Sequence, residues 1–82
     1  MYYVYVLKSK TRTQFYVGYS ADLRKRFEAH QNNESRSTRN KGPWELVYYE
    51  ACQSKTDALI REKYLKTAWG KRYIKNRIKN ST

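Results

Sequence analysis

The sequence predicts an α+β domain: a small three-stranded antiparallel sheet flanked by helices, in the order strand, strand, helix, strand, helix, helix. Three observations carry that prediction. Two runs rich in tyrosine and valine stand close together, separated by a short polar stretch. Two places carry helix-start chemistry: Ser20 with Asp22, and Ser54 with Asp57. A third alternating run, Trp44 to Ala51, lies between the two helical segments. Strands and helices in this order give one sheet covered by helices.

The first strand spans residues 2–7. Tyr2, Val4 and Val6 share one face, and Tyr3, Tyr5 and Leu7 share the other. Both faces are apolar or aromatic, as in a strand covered on two sides. Residues 8–13 are polar and form a loop. The second strand, residues 14–19, sets Phe15, Val17 and Tyr19 against Tyr16 and Gly18. So short a connection makes the pair an antiparallel hairpin. Ser20 caps a helix over about 21–31, with Asp22 near the positive end of its dipole and Leu23 and Phe27 as its core contact. Residues 31–43 hold no large apolar side chain and read as a long, mobile, basic loop. The third strand puts Trp44, Leu46 and Tyr48 on one face, with Glu45, Val47 and Tyr49 on the other. Ser54 and Asp57 open a helix to about Thr67. Gly70 interrupts the pattern, and residues 71–79 resume as a short basic helix with Ile74 and Ile78 on one side.

Eighty-two residues suffice for one domain with one modest core, here residues 1–82. The chain carries 18 Lys and Arg against 7 Asp and Glu, a net charge of +11. Self-repulsion at this charge density opposes folding, so solubility alone is a weak reason for it. A polyanionic partner is the better one, with DNA first, RNA also admissible, and an anionic membrane surface last. One cysteine, Cys52, excludes an internal disulfide and any Cys-rich zinc site. No run approaches the ~20 apolar residues of a membrane span, and a cytoplasmic location is expected by elimination.

Glu62 is the most telling single residue. On a 3.6-residue helix it falls between Ala58 and Leu65 on the inward stripe, which continued also takes in Trp69. A carboxylate there needs a partner: a metal, a buried cation, or Lys66 one turn on. Arg26 and His30 are spaced i, i+4 and share a helix face at the border of the Leu23/Phe27 stripe. The guanidinium of Arg26 stays charged and can bond two phosphate oxygens, although Arg24 and Lys25 beside it make plain surface charge a strong reading on composition alone. His30 also suits a helix C-terminus. Tyr5 and Tyr16 lie on adjacent strands, among nine tyrosines in all.

Tyr3-Val4-Tyr5, Tyr16-Val17-Gly18, Arg26, His30 and Glu62, in that order, resemble the GIY-YIG nuclease family, and most closely its small stand-alone branch. The likeness spans nearly the whole chain, with Val replacing the middle residue of each namesake tripeptide and Tyr3 in place of the first glycine. It implies a metal-dependent endonuclease acting on DNA, in repair or recombination. Glu62 would hold Mg²⁺ or Mn²⁺. Arg26 would neutralise charge on the phosphate. Tyr5 or Tyr16 would orient or deprotonate the attacking water, with His30 as a positioning or relay group. Arg26 and the metal would draw a tyrosine's pKa down from its usual value near 10. Related enzymes carry an asparagine beyond the metal glutamate, for which Asn76 and Asn80 are both candidates. With a single compelling carboxylate, a one-metal site is expected.

Gly18 would allow close approach of backbone or substrate. Arg24, Lys25, Arg36, Arg39, Lys41, Lys71 and Arg72 would track a phosphate backbone. Trp69 and Tyr73 could stack on bases, but core packing is their expected use. No appended targeting domain is evident, so the chain's own basic loop and tail bind the target or a second protein supplies it, on a monomer or weak homodimer. The competing class is a non-catalytic nucleic-acid-binding module, whose binding would need neither metal nor Glu62.

Overall fold

The tyrosine-rich runs pair as expected. In the computed structural model, which describes residues 1–36 and 38–79, β1 (Tyr2–Ser9) and β2 (Phe15–Ser20) form an antiparallel hairpin, followed by α1 (Leu23–Gln31). β3 (Trp44–Cys52), α2 (Lys55–Leu65) and α3 (Ala68–Arg77) complete the order. The sheet order is β2-β1-β3, all antiparallel, so the doubly apolar strand β1 is central. Val4 and Val6 face Ala58, Leu65, Ile74 and Ile78 from α2, α3 and the end of α3. Tyr5 and Leu7 face Trp44, with Leu23 and Phe27 of α1 against them. Two thin cores, one per face, replace the single core expected for a chain this size.

Four local expectations are corrected. Asp22, not Ser20, caps α1: its carboxylate accepts from Lys25 N, while Ser20 closes a turn by bonding Asp22. The helix therefore starts two residues later than expected. A bulge in β3 breaks the alternation: Val6 pairs with Tyr48 but Leu7 pairs with Leu46, leaving Val47 as the extra residue. Trp44 and Leu46 therefore face α1, whereas Val47 and Tyr48 join the opposite core.

Gly70 does not interrupt a helix. It lies inside the first turn of α3, which Thr67 caps by accepting from Gly70 N. A methyl group at Gly70 would overlap Tyr64 O and Leu65 Cα, so its bare backbone lets α3 close onto the end of α2.

The basic loop is pinned rather than loose. Thr38 is fully buried, and its carbonyl accepts from Trp44 Nε1 at 3.3 Å. Gln31 Oε1 accepts from Trp44 N at 2.7 Å, and Ser9 Oγ donates to Lys41 O at 2.6 Å. Asn33 and Asn40 take the left-handed backbone that asparagine tolerates, with φ of 59° and 63°.

Candidate active site

Register places the site. Tyr5 on the central strand is paired with Gly18 on the edge strand, and Tyr16 stands two residues from Gly18 on the same face. A side chain on Gly18 would collide with the Tyr5 phenol. Glycine there lets Tyr5 lie flat across β2, so the close approach serves an internal side chain and not a ligand. The two tyrosine rings are 6.3 Å apart, and α1 brings His30 to both, at 5.7 Å from Tyr5 and 4.9 Å from Tyr16.

His30 is completely buried and bonded on both sides. Tyr5 Oη and His30 Nε2 lie 2.8 Å apart, and His30 Nδ1 and Thr38 Oγ1 lie 2.6 Å apart. Burial, then the charge of Arg26, pulls the His30 pKa down from 6.5 to about 4. The ring is thus neutral at neutral pH, with one N–H to give. Either tautomer satisfies both bonds. Arg26 favours the one in which Nε2 accepts, because Tyr5 Oη can then accept from the guanidinium and donate to His30. Thr38 was invisible to sequence reasoning: it sits in an irregular loop, with no periodicity or motif to single it out.

Arg26 itself is exposed, one turn before His30. Its guanidinium is held above its usual value first by the side-chain interaction with Tyr5, with Tyr16 contributing. Tyr5 moves opposite to the expected direction. Burial outweighs the arginine and pushes its pKa up to about 12, with Tyr16 and Glu62 adding small upward pushes.

Glu62 is not a core carboxylate. Its side chain is 21% exposed and lies 3.3 Å from Lys66 Nζ, so the i, i+4 ion pair expected as its alternative partner is formed. No group of three or more metal-ligating side chains occurs among the described residues. A lone glutamate nonetheless suits Mg²⁺ or Mn²⁺, which retain waters and take one or two carboxylates together with substrate phosphate oxygens. The carboxylate is accessible, and its present partner is an exposed lysine that can swing away.

The remaining basic positions scatter. Arg24 and Lys25 are exposed on α1. Arg36 and Arg39 are exposed on the loop, where Arg39 Nε donates to Asn33 O, and Lys41 is half-buried. Lys71 lines a hollow with Tyr16, Lys66 and Lys75. Arg72 lies over the ring of Trp69. Asn76 is exposed on α3, and Asn80 lies outside the described residues.

With Tyr5, Tyr16, Arg26 and His30 gathered at one place, comparison with known proteins becomes decisive. The GIY-YIG catalytic domain model matches residues 1–79. This chain belongs to the GIY-YIG family. A UPF0213 protein of Clostridium perfringens is 43% identical over 67 residues, covering 80% of this chain and 71% of the relative. A UPF0213 protein of Staphylococcus saprophyticus is 37% identical, covering 80% of each. The solution NMR structure of a UPF0213 protein from Bacillus halodurans superposes with a TM-score of 0.55 at 32% identity, covering 89% of this chain and 80% of that one. These are stand-alone members of the family, the branch the sequence most resembles. No helix among the described residues is long and apolar enough to cross a membrane.

Proposed function

We propose that this GIY-YIG domain is an endonuclease that hydrolyses phosphodiester bonds in DNA, with Glu62 as the protein ligand for one Mg²⁺ or Mn²⁺. The observation that carries the reading is the gathering of Arg26 and Tyr16 about the buried Tyr5–His30–Thr38 chain.

Burial divides the work between the tyrosines. Tyr5 is inaccessible and keeps its proton at neutral pH. It is a positioning residue, holding Arg26 on one side and His30 on the other. Tyr16 is half-buried where Tyr5 is fully buried, so it is the phenol more open to an attacking water. Its role is to align that water for attack on phosphorus. Arg26, exposed and cationic, bonds the non-bridging phosphate oxygens as charge builds on them. His30, neutral and locked by Thr38, fixes the orientation of Tyr5. A bound divalent ion supplies polarisation of the phosphoryl oxygen and stabilisation of the leaving oxygen.

A second reading, a binding module without catalysis, is favoured by one fact: the Glu62 carboxylate is engaged by Lys66. A cleavage assay separates the two. Labelled single-stranded, duplex, flap and junction DNA, and one RNA, are incubated with Mg²⁺, with Mn²⁺ and with chelator. The nuclease reading expects metal-dependent cutting that Glu62→Ala abolishes and that Tyr16→Phe slows by about 100-fold or more. Salt-sensitive binding with no cutting by the unmodified protein on any substrate would favour the binding module.

A further inference from the structure

All seven acidic residues precede Lys63, whereas seven of the 18 Lys and Arg lie from Lys63 onward. Within this acid-free stretch, α3 presents an unusual side chain to solvent. Trp69, expected on the inward stripe, is 67% exposed, because α2 ends at Leu65 and α3, capped anew by Thr67, buries Gly70 and Ile74 instead. Leaving an indole in water forfeits a burial worth as much as any in the fold. One contact organises it: the Arg72 guanidinium lies 5.0 Å from the ring centroid, stacked from the next turn.

The helix wheel extends this pair into a surface. Gly70, Ile74 and Ile78 form the buried side of α3 and its C-cap. On a period of about 3.6 residues, the opposite arc runs in order through Lys71, Lys75, Ala68, Arg72, Asn76 and Trp69. Every residue of that arc is exposed. Its first two lysines line the same hollow as Tyr16. A cationic track thus runs from the α2–α3 face of the β2 edge, the strand that carries Tyr16, to an open aromatic ring.

We infer that the exposed arc of α3, ending on Trp69, is a binding surface for single-stranded nucleic acid, with Trp69 stacking an unpaired base and Lys71, Lys75 and Arg72 holding the phosphates. The inference rests on nucleic acid being the substrate, and it adds which form is held and where. A polyanion satisfies the charge, and a base satisfies the ring, whereas bases inside a duplex are already stacked on one another. A lipid surface fits less well. Apart from Trp69, α3 exposes no large apolar side chain, since Ile74 is buried and Tyr73 is half-buried. An interfacial helix needs an apolar face, not one ring.

The test is binding with chelator present, so that no cleavage intervenes. The full chain is titrated with a short pyrimidine single strand as DNA and as RNA, with the same DNA strand carrying abasic positions, with duplex DNA, and with anionic vesicles. Trp44 is 1% exposed, and an emission change that Trp69→Phe abolishes reports on Trp69. Quenching is expected on the base-bearing single strands. Trp69→Ala should weaken their binding about tenfold or more. It should leave the abasic strand and the duplex within about twofold. Trp69→Phe should restore most of the affinity, and since Trp69 lies outside both cores, each variant should melt cooperatively. Equal losses on single strand and duplex, unchanged affinity in Trp69→Ala, or emission changes with vesicles alone would each overturn the inference. Failure of the nuclease reading would show separately, as absence of cutting with this binding intact.

Discussion

His30 concentrates the energetics of the site in one ring. It is fully buried between Tyr5 and Thr38, and its pKa falls from 6.5 to about 4. In the unfolded chain the ring takes up its proton near 6.5, and in the folded chain only near 4. Between those values the unfolded state binds more protons, so folding stability is fully present above about pH 6.5 and is lost as pH falls toward 4. The loss is on the order of 3 kcal/mol. Urea unfolding at pH 7, 5.5 and 4.5 should show that decline. A His30→Gln variant, less stable at pH 7, should show a much flatter profile. A variant with the same slope as the parent would place the titration elsewhere. The spacing of Arg26 and His30, with the family resemblance, was enough to nominate this cluster from sequence. The upward shift of Tyr5 was not legible, because it comes from burial that only the folded packing creates. Thr38 was not legible either, since loop residues carry no period.

Among the elements, the α2–α3 junction depends on a glycine whose meaning sequence alone misassigned. Gly70 looks like a break in a helical pattern, yet it is a contact point where the α3 backbone touches Tyr64 O and Leu65. Two effects oppose each other in Gly70→Ala. Alanine improves helix propensity by about 1 kcal/mol. Overpacking against backbone that cannot rotate away costs about 1–3 kcal/mol. The overlap is with main-chain atoms, so the second effect should win, and thermal unfolding should show a midpoint lowered by several degrees. A midpoint equal to or above the parent's would show that the helices separate freely. The same kind of information was hidden in β3. Period-two reading assigned its faces correctly on each side of Val47, but no residue type announces the bulge that exchanges them. The order of strands and helices along the chain, the β1–β2 hairpin and the capping of α2 by Ser54 did follow from local chemistry, because strand periods and caps are local properties.

For the whole molecule, the decisive property is the uneven placement of charge, which sequence displays but does not interpret. A net +11 could be spread evenly, and it would then give only weak, undirected attraction. Here the acid-free run from Lys63 includes all of α3, and two of its lysines share a hollow with Tyr16. The apparent affinity for single strands should therefore fall steeply with salt, each neutralised phosphate contributing about −0.7 to the slope of log K against log salt. Replacing both Lys71 and Lys75 with Gln should make that slope shallower by about 1.4 and weaken binding at low salt on every nucleic acid alike. Trp69→Ala should lower affinity while leaving the slope unchanged, because a stacked base releases no counterion. The two variants thus move different parameters of one salt titration. If the lysine pair altered neither slope nor affinity, the charge beside Tyr16 would be solvated surface, and the path by which a strand reaches Arg26 would have to cross another face of the sheet.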